Sequence, residues 1–256
     1  MVSASDTWTE PYSAAIHIPQ YLERGRAQTV KLRVYRSGAL AEPTAGQYSL
    51  FDSSGVAVGD AAAVTVTGSI AEYSIGAGLL PATLSVGEGW WEEWALTMPD
   101  TNCHTFRRPG ALVLLALYPC ISDSDLEAQY SDLDDLRPAG MASYQSYIDE
   151  AWTQILGRLV AMGEGRFPYL ILESFALREL HLELTLAIIF RDFASSIGEG
   201  RYLALSENHK REAAFVWRSL SLRYDEDHDG QPDSTERKSV QPVVYLNRAP
   251  TTRWSF

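Results

Sequence analysis

FALRELHLELTLAIIFRDFAS, residues 175–195, decides how the second half of this chain folds. Leu177, Leu180, Leu184, Leu186, Ile188, Ile189 and Phe190 cover most of the circumference of a helix, and such a helix is stable only where other helices bury it. Candidates to do so lie on either side. Ser143 is placed to cap a helix running to about Met162, with Tyr147, Ile148, Trp152, Ile155, Leu156 and Leu159 on one stripe. Ser174 is placed to cap the 175–195 helix itself. A third helix is expected from Ser206 to Tyr224, carrying Ala213, Phe215, Val216, Trp217 and Leu220, and Gly163, Gly165, Gly198 and Gly200 punctuate the connections.

Working back toward the N-terminus, the pattern changes near Ile121. Period-2 alternation predicts short strands over Gln28–Tyr35, Gly46–Phe51, Ala63–Val66, Ala71–Ile75, Trp90–Met98 and His104–Arg108, with turns at residues 52–55 (DSSG) and 99–102 (PDTN). The expected fold class is therefore α+β in two domains. Residues 1–121 form an antiparallel, Ig-like β-sandwich, 122–238 a small α-helical bundle, and 239–256 an extended C-terminal tail. The junction, residues 118–123 (YPCISD), joins a strand end to a helix cap, so the two domains abut.

Composition excludes several classes of function. The 256 residues are 46% hydrophobic, enough for a sizeable core, and carry a net charge of -12 without any run of Lys or Arg to track a phosphate backbone. Residues 1–15 lack the basic and apolar segments of a secretory leader, and the longest apolar run, 111–118, is too short to span a bilayer. Cys103 and Cys120 lie about 17 residues of extended chain apart, far beyond disulfide reach, so free thiols and a reducing place of folding are expected.

The most specific chemical signal is DEDHDGQPDSTE, residues 225–236, which sets an oxygen ligand at each position of a twelve-residue calcium loop. Asp225, Asp227 and Asp229 take positions 1, 3 and 5, Gly230 the sharp turn at 6, Gln231 a carbonyl at 7, Asp233 position 9 and Glu236 position 12. Without an ion the same carboxylates repel one another in a solvated acidic turn. The segment before the loop reads as helix, and residues 240–247, β-branched and carrying Pro242, read as extended. The expected role is accordingly a structural clip between helix and tail.

Other constellations read as structural. His17, His104, His181, His209 and His228 are scattered without zinc spacing, and Cys103-His104 stands alone. Glu179, His181 and Glu183 do not share one helical face, which makes His181 a satisfied core histidine. No Gly-x-Ser-x-Gly elbow or phosphate loop occurs. Trp90, Trp91 and Trp94 on one strand suit a buried core or, alternatively, a sugar platform. No active site assembles, and the expectation is a protein without enzymatic activity.

The order of segments in the helical half then resembles a known family. Residues 122–130 (SDSDLEAQY), 147–163 (YIDEAWTQILGRLVAMG), 170–194 (LILESFALRELHLELTLAIIFRDFA) and 207–236 (ENHKREAAFVWRSLSLRYDEDHDGQPDSTE) resemble the head-tail connector, or adaptor, proteins of tailed bacteriophages over about residues 121–250. The resemblance implies a structural virion protein of the phage neck, made in the host bacterial cytoplasm. It implies a homo-oligomeric ring, usually of twelve copies, joining the portal to other neck or tail proteins, with DNA passing through the lumen without specific binding. It also implies a C-terminal tail inserted into partners, here through Val243, Val244, Tyr245, Leu246, Trp254 and Phe256. The alternative from another class is a calcium-stabilised β-sandwich binding module recognising a carbohydrate or protein ligand.

Overall fold

The computed structural model describes residues 12–14, 16, 19–138, 140–161, 168–197, 200–225, 227–230 and 237–239. The first half is a two-sheet β-sandwich and the second is helical, an α+β fold as the sequence predicts. Strands β1 (Tyr12–Ala14), β3 (Gln28–Arg36), β8 (Ile70–Ile75) and β7 (Thr65–Thr67) make one sheet in that order, with β4 (Ala39–Ala41) also on β3. The other sheet runs β2 (Gln20–Glu23), β10 (Cys103–Val113), β9 (Gly87–Thr97), β5 (Ala45–Phe51) and β6 (Ala62–Ala63). All pairs are antiparallel except β2 with β10, which is parallel. β2, which is not among the expected strands, adds this parallel edge to the antiparallel sandwich: Gln20–Glu23 lies beside the C-terminal end of β10, whose register shifts at Gly110/Ala111.

The expected strands form because their alternation matches the pleat. On β3, Val30, Leu32 and Val34 point inward between exposed Thr29, Lys31 and Arg33. The turn after β5 closes on Asp52, whose Oδ1 accepts the N–H groups of Ser54 (2.8 Å) and Val56 (2.9 Å), an arrangement that Asp offers a turn and an apolar residue does not. Inward residues of the two sheets then meet: Tyr48 stacks on Tyr73 at 4.5 Å across the sandwich, and Trp94 meets Tyr48 edge-on at 4.9 Å.

Within this apolar core lies a carboxylate. Glu92 is 1% exposed, accepting from Arg108 Nε, from Trp94 Nε1 (2.8 Å) and from the Tyr48 hydroxyl (3.2 Å). Burial, and then the Glu92 charge, push the Tyr48 phenol upward, so it stays a donor. Cross-strand register explains the meeting, since Leu50, Glu92 and Arg108 are opposed across three strands.

The helical half contains α1 (Asp123–Gln129), α2 (Gln145–Ala161), α3 (Arg178–Ile197) and α4 (Gly200–Ser219). Ser143 Oγ accepts the N–H of Gln145 as α2 begins, and Ile148, Ala151, Trp152, Ile155 and Leu159 are buried. α3 is the central helix: Leu180, Leu186, Ile189 and Phe193 are 0% exposed and contribute to both helical core clusters. Ser174 does not cap it. The chain turns through a 3-10 segment, Ser174–Leu177, and Ser174 Oγ instead accepts the backbone N–H of Tyr118 (3.0 Å), tying the junction to the helices. The third helix also differs from expectation, starting at Gly200 and ending at Ser219. Tyr202 adds a turn to its buried stripe, whereas Leu220, Leu222 and Tyr224 are buried with exposed residues between, a period of two that makes β11 (Ser221–Arg223) rather than helix. β11 pairs antiparallel with β12 (Arg237–Ser239). Residues 240–256, including every apolar tail residue named above, lie outside the described residues.

The buried pair makes the first prediction. Glu92→Ala leaves Arg108 charged and unpaired in the core and is expected to cost about 3–5 kcal/mol, whereas Glu92→Leu with Arg108→Met is expected to cost less than either Glu92→Leu or Arg108→Met alone. Urea denaturation of the four variants checks the order.

Candidate functional site

The acidic loop is built on the hairpin that follows α4. Tyr224 bridges to Ile171, and the Asp225 N–H donates to the Leu170 carbonyl (3.0 Å), so the first ligand position is anchored to the segment that leads into α3. The expected clip between a helix and a tail becomes a loop between two paired strands, because the helix stops before it. Asp225 is 1% exposed, and its carboxylate accepts the N–H groups of Asp229 (3.0 Å) and Gly230 (2.9 Å). Gly230 has φ +88, the left-handed conformation that the sixth position of a calcium loop requires.

Carboxylate oxygens of Asp225, Asp227 and Asp229 come within 4.8 Å of one another. Burial raises the pKa of Asp225 despite its two backbone donors, and the neighbouring carboxylates add to the shift. A hard divalent cation is one species that relieves such a cluster, and water around the exposed Asp227 and Asp229 is another. These three residues and the Gly230 turn therefore fit one half of a calcium site. Gln231, Asp233 and Glu236, which would complete it, lie outside the described residues.

Cys120 and His181 face each other at the edge of the helical core. His181 is 0% exposed; its Nε2 lies 2.9 Å from the Ile148 carbonyl, which fixes the proton on Nε2 and leaves Nδ1 facing Cys120 Sγ at 4.0 Å. Burial pushes the thiol up to about 11 and the imidazole below its usual value. A thiolate–imidazolium pair needs the opposite shifts, so this dyad is a core contact. Both cysteines are free, as the sequence suggests.

Two arrangements escaped the sequence. Glu183, on the reverse side of α3 from His181, meets His209 of α4 at 2.7 Å, and the Tyr130 hydroxyl bonds the other ring nitrogen at 2.7 Å. His209 lies on the buried α4 stripe with Tyr202, Ser206, Ala213 and Val216, a spacing that could have marked it; Glu183 gave no such signal. Burial raises the Tyr130 phenol, with Glu183 adding to the effect, so the chain joins three helices without activating a nucleophile. The strand tryptophans are the second case. Trp90 and Trp94 are core residues, while Trp91 stands on the outer face between Phe51 (3.8 Å, stacked) and the Arg107 guanidinium (4.7 Å), leaving neither indole face open.

Comparison with protein families and with curated proteins gives no match. Among solved structures, the chain is similar to CopC from Methylosinus trichosporium OB3b at 16% identity, covering 39% of this chain and 88% of that one, with a TM-score of 0.27. It is similar to β-glucosidase from Listeria innocua at 12% identity and a TM-score of 0.21, over 39% of this chain and 16% of the enzyme. Likenesses this slight carry no functional argument. No helix among the described residues is long and apolar enough to cross a membrane.

Two outcomes are expected. Calcium binding to the folded chain raises the melting temperature, by an amount equivalent to about 2.7 kcal/mol at a hundredfold excess over Kd, and Asp225→Ala with Asp229→Ala abolishes the rise while helix content stays constant. For His181, the folded pKa lies below the unfolded one, so the folded state loses stability as pH falls below the usual histidine value of 6.5 toward the depressed one. Urea midpoints at pH 7.5 and 5.5 should differ less in His181→Gln than in the parent.

Proposed function

We propose that this chain is a structural protein of the neck of a tailed bacteriophage, an adaptor forming a homo-oligomeric ring between the portal and the tail. The observation that carries the reading is the order of parts. A β-sandwich leads into a helical body closed around α3, and the chain leaves that body through an anchored acidic hairpin, after which the sequence turns apolar. The sequence resemblance over residues 121–250 supports the same order. So does the state of Cys120 and His181, which burial keeps uncharged.

In this reading Asp225, Asp227, Asp229, Gln231, Asp233 and Glu236 hold calcium, and the ion sets the direction in which the tail departs. Val243, Val244, Tyr245, Leu246, Trp254 and Phe256 are then buried against partner subunits or the portal, since so many apolar groups are costly to leave in water. The net charge of -12 suits a passage through which DNA moves without being held.

A second reading, the calcium-stabilised binding module, draws on the clustered carboxylates beside a two-sheet sandwich. Its carbohydrate form has less support, because ring-face stacking needs an open aromatic surface and Trp91 is covered on both sides. Infection without this protein separates the two readings. DNA-filled heads lacking tails are the expected product, and heads that still acquire tails would contradict the neck assignment.

A further inference from the structure

Strand β9 keeps its even-numbered residues in the sandwich core: Trp90, Glu92, Trp94 and Leu96 are all buried. A period of two would carry Glu88 into that core as well. The chain avoids this. The register of β9 with β10 shifts between Gly110 and Ala111, which oppose Trp90 and Glu88, and the residue left over is Gly89, at φ +86. A bulge of this kind needs a residue that accepts a left-handed backbone, and it turns the next side chain to the opposite face. Glu88 is thereby exposed on the outer face of the sheet.

At this point the outer face borders a cavity. Tyr21 of β2 and Ala111 of β10 stand in the same cross-strand row as Glu88, and Val160 and Pro168 of the helical half form the facing wall. The space between measures about 400 Å³, within the ~300–1,000 Å³ usual for small-molecule sites. Ala111 is the small member of the row, so Tyr21 and Glu88 flank an open slot from strands two spacings, about 9.6 Å, apart. Among the described residues lining the cavity Glu88 is the charged one, and it has no ion-pair partner among the described residues. Burial, and then the Glu88 charge, raise the Tyr21 phenol, so its hydroxyl keeps its proton.

We propose that this cavity binds a small organic cation, an ammonium group on a compact aromatic or branched apolar body, with the ammonium at Glu88 and the body between Tyr21, Val160 and Pro168. Charge complementarity selects the class. An anionic ligand would meet a carboxylate that nothing neutralises, and a wholly apolar one would hold that carboxylate against carbon. The bulge supplies what a plain strand would not, an acid turned out of the core onto an apolar slot. Nothing in this site depends on the neck assignment.

Calorimetric titration of the full-length protein with phenethylammonium, phenethyl alcohol and hydrocinnamate tests the site. The ammonium is expected to bind tightest, the alcohol about fivefold more weakly, as one charge pair at a rim provides, and the carboxylate not at all. Glu88→Gln is expected to bring the ammonium down to the alcohol's affinity. Glu93→Gln, on the same face but already paired with Arg107 at 2.8 Å, is expected to leave the order unchanged. Val160→Trp, which fills the cavity from its opposite wall, is expected to abolish binding of the ammonium and the alcohol while helix content stays constant. No binding of the ammonium at millimolar concentration, equal affinity for all three probes, or an ammonium preference that survives Glu88→Gln would each overturn the proposal. Binding that Val160→Trp leaves intact would place the ligand elsewhere and overturn it equally.

Discussion

The burial of α3 is the constraint on which the helical half depends. A helix with Leu180, Leu186, Ile189 and Phe193 wholly excluded from water cannot stand on one side of a body, so α2 and α4 must flank it and α1 must close one end. The polar groups that burial traps are then satisfied across helices. His181 donates to the α2 carbonyl of Ile148, Ser206 donates to Ala187 (2.7 Å), and Glu183 takes His209. Because the segment leading into α3 also carries Ser174, Leu170 and Ile171, the same element fixes the domain junction at Tyr118 and the start of the acidic loop at Asp225. One buried helix thus positions both the sandwich and the candidate metal site.

Much of this was legible because it is local. Alternation gave the strands from Gln28 to Arg108, and the two turns on Asp52 and Asp100 follow from side chains that bond their own backbone. Gly230 was readable because a calcium loop needs a left-handed residue there, and its φ of +88 agrees. The misreadings share a different cause, which is that tertiary partners reassigned a local signal. Ser174 looks like a cap but serves Tyr118. Residues 220–224 continue a helical composition, yet the bridge to Ile171 and pairing with Arg237–Ser239 hold them extended. The buried Glu92–Arg108 pair gave no sequence signal, because only the register of β9 with β10 puts Arg108 over Glu92. Long-range register is not written in any short window of sequence.

The same physics sets the state of the buried titratable groups. Desolvation moves the Cys120 thiol up and the His181 imidazole down, so both are uncharged near neutrality, and the Tyr130 phenol is likewise kept protonated. These groups lie in or beside the core, where His181 contacts α2 and Tyr130 reaches His209 of α4. Three carboxylates cluster on the anchored hairpin, and the sequence after residue 239 is apolar and basic.

The mass of the full-length protein in solution, measured across a wide concentration range with and without calcium and then with a portal assembly, tests the central claim most directly. The account predicts a closed species of about twelve 28.4 kDa chains, alone or nucleated on the portal. A chain that stays at 28.4 kDa under all these conditions, including with the portal present, would contradict it.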